Sequence, residues 1–152
     1  MQSISPREKT MKNMKFAIAT MTFGACVALA SPAFAEKMTM KVPLTSAAEV
    51  PPNTSAGKGT ADVTYDTANK MLTWKVTYSG LTGPATMAHF HGPAAAGANA
   101  PVVVPFKDPA SGAEGSATLT DAQAADLTAG KLYINVHTDA NKGGEIRGQV
   151  VK

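Results

Sequence analysis

The stretch Met87-Ala88-His89-Phe90-His91-Gly92-Pro93 contains two of the three histidines in the sequence. The third, His137, lies in another short apolar run, Leu132-Tyr133-Ile134-Asn135-Val136-His137-Thr138. Both runs have the composition and the length of β-strands and are bounded by turn-forming residues. They predict an all-β fold, and they raise the question of whether the three imidazoles meet in the folded chain.

Strand geometry makes a specific prediction about these histidines. Successive side chains of a strand point to opposite faces of the sheet, so residues two apart share a face. His89 and His91 therefore project together, and Phe90 points the other way, into the core. In the later run His137 lies on the face opposite Ile134 and Val136, so all three histidines are expected on the outer, exposed side of the sheet.

The rest of the chain alternates short β-prone runs with turns. Lys37–Ser46 alternates apolar and polar residues with a period of two, and Thr67–Lys70 separates two runs that read as a hairpin. The predicted strands after the first are Lys58–Asp66, Met71–Ser79, 86–91, Val102–Phe106, Glu114–Leu119, Leu132–Thr138 and Glu145–Val151. The single helical signal is Thr120–Thr128, where Thr120 and Gln123 form a capping-box pattern. Seven or eight strands with one short helix predict an antiparallel Greek-key β-sandwich or barrel, immunoglobulin-like or superoxide-dismutase-like.

The N-terminal segment has the pattern of a secretory signal peptide. Lys12 and Lys15 precede an uncharged run that ends in Ala33-Phe34-Ala35, which predicts cleavage after Ala35. Residues 1–10 read as an upstream extension of this leader, so the predicted units are a signal peptide over residues 1–35 and one domain over residues 36–152. The domain is expected in the periplasm or outside the cell.

The charge and the cysteine content limit the partners and metal sites that are expected for the predicted domain. Residues 36–152 carry ten basic and ten acidic side chains, so the formal charge of +3 comes entirely from the leader. This balance does not favour nucleic acid or an anionic membrane surface as a partner, and no membrane insertion is expected after cleavage. The single cysteine, Cys26, lies in the leader, which excludes a thiolate metal site in the domain.

A His-x-His pair on a strand, joined by a histidine from a neighbouring strand, is a suitable metal site. Three neutral imidazoles suit copper or zinc, and the affinity order favours copper. The predicted ligands are His89, His91 and His137. Met87 shares their face and is an accessory candidate, although packing at the sheet surface is the favoured explanation of this residue. Tyr133 and Asn135 are candidates for orienting the ligands from outside the coordination sphere.

Other chemistries find little support. No serine lies in a glycine-x-serine-x-glycine elbow, and Gly143-Gly144 precedes a strand, whereas a phosphate loop precedes a helix. Arg147 is expected to be a strand-surface charge paired with Glu145 or a neighbour. The one apolar patch expected at the surface is Pro105-Phe106.

Three segments resemble the CHRD domain, a family named for the repeats of chordin that also occurs as single exported bacterial domains. They are Ala88–Pro93 (AHFHGP), Gly97–Val103 (GANAPVV) and Leu127–Val150 (LTAGKLYINVHTDANKGGEIRGQV). The start of the domain fits as well, and the resemblance covers residues 37–151, with Lys142 as a minor departure. It implies a β-sandwich and, through chordin, extracellular protein binding.

The histidine strands are also distantly similar to the copper-ligand strands of Cu,Zn superoxide dismutase, another Greek-key barrel. By that likeness His89, His91 and His137 match three copper ligands. The chain has no further histidine to bridge copper to zinc or to build a zinc site, and the domain has no cysteines for that enzyme's disulfide. An intact bimetallic dismutase is therefore excluded.

Three hypotheses remain open from the sequence. The first is an exported domain that binds copper, or zinc, through three histidines and handles metal in the envelope, with an envelope or extracellular protein as a second partner. The second is an extracellular protein-interaction module in which the histidines are structural. The third is weak dismutase-like redox activity at a single copper ion, with no residue assigned a catalytic role.

Overall fold

Eight antiparallel strands and one helix make up the part of the chain that the structure, a computed structural model, describes: residues 36–152. The predicted leader and its cleavage site after Ala35 lie outside the described residues. The strands are β1 (Lys37–Thr45), β2 (Lys58–Asp66), β3 (Met71–Ser79), β4 (Ala85–His91), β5 (Val102–Pro105), β6 (Glu114–Thr118), β7 (Tyr133–Thr138) and β8 (Ile146–Gln149). The helix is α1 (Asp121–Thr128), and a short 3-10 turn covers Ser46–Ala48.

The apolar positions that alternate along the first strands are buried in the core, as the sequence predicts. In β1 the side chains of Met40, Val42 and Leu44 are buried, and the residues between them are exposed. The predicted hairpin is confirmed with the bounds expected for β2 and β3, paired from Lys58↔Ser79 to Asp66↔Met71. A period of two therefore places one face of each strand against the core, because only that face carries apolar side chains.

The strand order is β5-β4-β7-β8-β1-β2-β3-β6, and every described pair is antiparallel. β1 and β8 meet at a single bridging pair, Thr45↔Arg147, so the sheet folds there into two four-stranded halves. Trp74 of β3 lies 5.1 Å from Phe90 of β4, measured between ring centroids, and 4.8 Å from Phe106. The two halves thus face each other across one aromatic core, which confirms the all-β sandwich or barrel with one short helix.

Helix α1 begins and ends where the sequence predicts. The Thr120 side chain accepts a hydrogen bond from the Gln123 backbone N–H, and the Gln123 side chain accepts one from the Thr120 backbone N–H. These bonds satisfy two of the helix's free N-terminal donors. Leu127 is its one buried residue, and Gly130 follows with φ +68°. No helix among residues 36–152 is long and apolar enough to cross a membrane.

The outer face of β7 is not exposed, which corrects the expectation for the histidine strands. All six residues of β7 are buried, including Tyr133 and Asn135 at 2% and 3% exposure. Loop 92–101 makes hydrogen bonds to Tyr133 and Arg147 on this face, and the loop after β7 contacts His137. The period-of-two pattern places these side chains away from the apolar core correctly, but it carries no information on loops that fold back over a strand.

The expected surface patch at Pro105-Phe106 is also wrong for its larger member. Phe106 is half-buried, stacks on Trp74 and lies 5.4 Å from the Phe90 ring centroid. Phe106 therefore packs against the core and not into an exposed apolar patch.

Candidate metal centre

The pairing of β4 with β7 brings the three histidines together. Met87 lies opposite His137 and His89 lies opposite Asn135, so His89 and His137 are diagonal neighbours on one face. The Nδ1 atom of His89 is 3.1 Å from the Nε2 atom of His137. One nitrogen from each of His89, His91 and His137 lies within 4.8 Å of the others. The three residues predicted as ligands therefore form one cluster.

Backbone carbonyls determine which ring nitrogens can bind a metal. The Nδ1 atom of His91 lies 2.9 Å from the Ala100 carbonyl oxygen, and that of His137 lies 2.9 Å from the Lys142 carbonyl oxygen. A carbonyl only accepts hydrogen bonds, so each Nδ1 carries the proton and each Nε2 keeps its lone pair. This is the arrangement found around metal-binding histidines, in which the second ring nitrogen donates to a fixed acceptor.

His89 and His137 are held in the neutral form that a metal requires. Burial, with the neighbouring His137 and His91, lowers the pKa of His89 to about 4. Burial also lowers the pKa of His137, outweighing the opposing effect of its hydrogen bond to Lys142. Both imidazoles are therefore uncharged at neutral pH, with lone pairs available for coordination.

One nitrogen in the cluster has no partner. The Nε2 atom of His91 is buried and makes no hydrogen bond within residues 36–152. A buried polar atom without a partner costs about 1–3 kcal/mol, so its retention calls for an explanation. A metal ion shared with His89 and His137 would supply the missing partner.

The distances fit a metal after a small adjustment. Ligand nitrogens at about 2.0–2.1 Å from one ion lie at most about 4 Å apart. The separation of 3.1 Å between His89 and His137 already meets that limit, whereas the widest separation, up to 4.8 Å, must shorten. A rotation of one imidazole ring would close the difference.

Tyr133 and Asn135 contact the histidines directly. The Tyr133 ring stacks on His91 with centroids 4.9 Å apart and planes 5° from parallel. The Asn135 Oδ1 atom lies 2.9 Å from His137 Nε2. The Asn135 oxygen and the lone pair of His137 Nε2 are both acceptors, so the space beside them favours a proton donor or a cation. The Nδ1–H group of His89 is that donor. Met87 is opposite His137 and 48% exposed, with no contact that assigns it a role.

Arg147 is deeply buried, which corrects the expectation of a strand-surface charge paired with Glu145. Its side chain is 1% exposed, and its guanidinium carbon lies 3.4 Å from the centroid of the Tyr133 ring. Its Nη1 donates to the Asn99 side chain and its Nη2 to the Ala98 carbonyl. Loop 92–101 supplies these partners, and strand periodicity alone does not reveal them.

Glu49 is a second buried polar residue that the sequence did not single out. It is 4% exposed, and its Oε1 atom has no hydrogen-bond partner among residues 36–152. Burial raises the pKa of its carboxyl to about 7, against the opposing effects of the Arg147 charge and a backbone hydrogen bond from Val50. At Gly144, where φ is +129°, a Cβ would overlap Glu49 Oε1 and lie 2.8 Å from Asn135 Nδ2. The absence of a side chain at Gly144 therefore leaves room for the Glu49 carboxyl and the Asn135 amide.

Glu145 binds three segments of chain together through its buried carboxylate. Its Oε1 accepts from Ser55 Oγ at 2.5 Å and from the Thr82 backbone N–H at 2.7 Å. Its Oε2 accepts from Thr82 Oγ1 at 2.7 Å and from Thr138 Oγ1 at 2.6 Å. Burial acts to raise the pKa of this carboxyl, but the four hydrogen bonds outweigh it and hold the pKa at about 2. The carboxylate is satisfied by these donors, so its role is structural.

Comparison with known proteins identifies the family. A family model described as the CHRD domain matches residues 40–150, which include all three histidines, Arg147 and both buried glutamates. Comparison with curated proteins and with solved structures gave no match.

Proposed function

The chain belongs to the CHRD domain family, and we propose that it is an exported protein that binds a copper ion through His89, His91 and His137. It would handle that metal in the cell envelope, by storage, by delivery or by protection from it; zinc is the alternative ion. The observation that carries the proposal is the buried, unpartnered Nε2 atom of His91 beside the neutral imidazoles of His89 and His137. Export rests on the leader pattern of residues 1–35.

The donor set favours copper. The cluster consists of three imidazoles and contains no carboxylate. Imidazole suits both copper and zinc, but at equal availability the affinity order favours divalent copper over zinc. Met87, on the same face of β4, would add a thioether that suits monovalent copper. Bound there, the ion would provide a coordination centre that can exchange an electron or be transferred to another protein.

The chain's own residues prepare the site before any metal arrives. Ala100 and Lys142 hold the protons of two imidazoles on the nitrogens that face away from the cluster. His91 is buried and hydrogen-bonded to loop 92–101, whereas His89 is half-buried. The solvent-accessible side of the cluster is therefore the His89 and Met87 side, through which a metal would enter and leave.

The test is a copper titration of the purified protein beside a triple variant, His89→Ala, His91→Ala and His137→Ala. Every sample carries Cys26→Ser, so that a leader thiol cannot bind copper. We expect one copper ion per chain in the parent protein and none in the triple variant. Equal affinity in the two proteins would eliminate the proposal.

The rival is an extracellular protein-interaction module with structural histidines. One observation favours it: His89 and His137 satisfy each other by a hydrogen bond without any metal. On this alternative the triple variant loses stability, because the hydrogen bond and the stacking on Tyr133 are lost, but copper binds neither protein. Measuring the unfolding free energy and the copper affinity of the same two proteins separates the hypotheses.

Weak dismutase-like activity is the remaining alternative. An arginine near the site could attract an anionic substrate, but Arg147 is 1% exposed, and its Nη1 and Nη2 atoms donate to Asn99 and Ala98. A superoxide assay on the copper-loaded protein, with the metal-free protein as control, tests this activity.

A further inference from the structure

His91 lies at the end of its strand, regularly paired with Tyr133 of β7 on one side but irregularly paired with β5 on the other. It is the last residue of β4, and the pairing of β4 with β5 shifts register between Phe90 and His91. A register shift breaks the regular ladder and changes the direction of the side chain beside it. On the β5 side the ladder does not fix the His91 ring, so its contacts with loop 92–101 matter for its orientation.

Those contacts converge on Ala100. Its carbonyl oxygen lies 2.9 Å from His91 Nδ1 and accepts a longer bond, 3.3 Å, from the Tyr133 hydroxyl. Its backbone N–H donates to that same hydroxyl at 3.1 Å. The His91 ring thus stacks on the Tyr133 ring, and its Nδ1 atom bonds to the Ala100 carbonyl. Tyr133 also helps to position that carbonyl through its hydroxyl.

Arg147 holds the same assembly from the other side. Its guanidinium packs on the face of the Tyr133 ring, and its two terminal nitrogens bind Ala98 and Asn99, the residues that precede Ala100. Asn99 is tied in turn to the Val50 carbonyl by its Nδ2, at 3.0 Å. A planar guanidinium can stack and form hydrogen bonds from its edge at the same time, which a lysine ammonium cannot do.

We propose that Arg147 is a positioning residue for the metal centre: stacked on Tyr133 and bound to Ala98 and Asn99, it holds the Ala100 carbonyl that orients the His91 imidazole toward the metal. This inference rests on the proposed function of the three histidines. Arg147 would contact neither the metal nor a ligand. Loop 92–101 would fix the orientation of one ligand, His91.

The decisive variant is Arg147→Met, which keeps the length of the side chain and removes the guanidinium. Loss of an outer partner of a metal-binding histidine typically costs 10–100-fold in metal affinity, and we expect a loss of roughly that size for copper. Pulsed electron paramagnetic resonance of the Cu(II) form should show three bound imidazoles in the parent protein and two in the variant. In the metal-free proteins, ¹⁵N NMR should show the Nδ1-protonated form of His91 in the parent and a mixture of tautomers in the variant.

Gln149→Ala is the matched control. Gln149 lies on the same strand, two residues beyond Arg147, and holds the same loop by a hydrogen bond to the Ala94 carbonyl, away from Ala100. We expect it to lower stability while leaving copper affinity and the imidazole count unchanged. An equal loss of affinity in both variants would refute a specific role for Arg147.

Asn99→Ala is a second test variant, to be used if Arg147→Met does not fold. Asn99 is exposed, so its truncation leaves the core intact, yet it removes one of the two acceptors of Arg147. A decrease in copper affinity of at least several-fold is expected. If the parent protein binds no copper, the proposed function and this inference both fail. If the parent binds copper and a folded variant at Arg147 or Asn99 keeps the parent affinity and the three-imidazole spectrum, the positioning role alone fails.

Discussion

The Nδ1 atom of His89 lies 3.1 Å from the Nε2 atom of His137, although 48 positions separate the two residues in the chain. This hydrogen bond connects two of the three imidazoles of the cluster and holds them at the separation that a shared ion needs. The metal-free centre is therefore preorganised: binding requires the proton of His89 to move to its other nitrogen and one ring to turn. Preorganisation of this kind reduces the conformational cost of binding.

Copper should stabilise the folded protein by mass action. An ion that binds only the folded state adds about 2.7 kcal/mol at a free concentration of 100 times its dissociation constant. We expect a rise in the thermal midpoint on addition of copper, measured by circular dichroism, and its full reversal by a chelator. A His91→Ala variant, which keeps two imidazoles, should show a much smaller rise; the same rise in that variant would place the bound copper elsewhere.

Glu49→Gln should change how stability depends on pH. In the folded protein the pKa of the Glu49 carboxyl is about 7, against 4.5 for the ordinary side chain. The folded state then holds the proton more tightly, so stability is full below pH 4.5 and falls as the pH rises through 7. An amide does not ionise, so the unfolding free energy of the variant should not show this decrease. Relative to the parent protein, the variant should become more stable between pH 4.5 and 8. Since one pKa unit is worth about 1.4 kcal/mol, the shift from 4.5 to about 7 corresponds to a gain of about 3 kcal/mol.

Urea unfolding at several pH values measures this gain. Glu114→Gln is the control, because Glu114 is exposed and pairs with Lys75 at the surface of the sheet. The control should follow the pH profile of the parent protein. A Glu49→Gln profile parallel to that of the parent would mean that the buried carboxyl ionises normally.

Glu145→Gln should be among the more destabilising single substitutions. An amide nitrogen would face the Thr82 backbone N–H or hydroxyl donors that now bind a carboxylate, and hydrogen bonds to charged groups contribute about 1.5–3 kcal/mol each. We expect a loss of about 3 kcal/mol at pH 7, measured by urea unfolding.

The pH dependence of Glu145→Gln has the opposite sign to that of Glu49→Gln. The pKa of Glu145 is lowered to about 2, so its contribution is complete above pH 4.5 and is lost as the pH falls toward 2. The difference between the variant and the parent protein should therefore narrow in acid. A difference that stays constant down to pH 2 would show that the ionised carboxylate is not the source of the stability.

Gly148→Ala should weaken the junction between the two halves of the sheet. A Cβ at Gly148 would overlap the Pro43 carbonyl oxygen and lie 2.8 Å from the Val42 side chain, so β8 could not approach β1 as closely. Overpacking of this kind costs about 1–3 kcal/mol, and contact with backbone argues for the upper end. Gly143→Ala is the matched control, since a Cβ there meets nothing within 4 Å. Equal unfolding free energies for the two variants would contradict the close approach.

Local sequence patterns predict most of the fold correctly. The period of two in β1, the four-residue turn between β2 and β3 and the capping box at Thr120 and Gln123 each involve neighbours in the chain. Short-range geometry determines them, so they can be read without knowing the tertiary structure. The same parity correctly puts His89, His91 and His137 on the side of the sheet away from the apolar core.

The amino-acid sequence by itself determined the all-β class, the family likeness and the three histidines as a candidate ligand set. Only the tertiary structure decided that β4 and β7 are neighbours, which joins His89 to His137, and that loop 92–101 buries Arg147 against Tyr133. The physical reason is the distance along the chain over which each feature is determined. Side-chain alternation is a property of each strand alone, whereas strand order and loop coverage depend on the packing of residues distant in the chain, which no local pattern encodes.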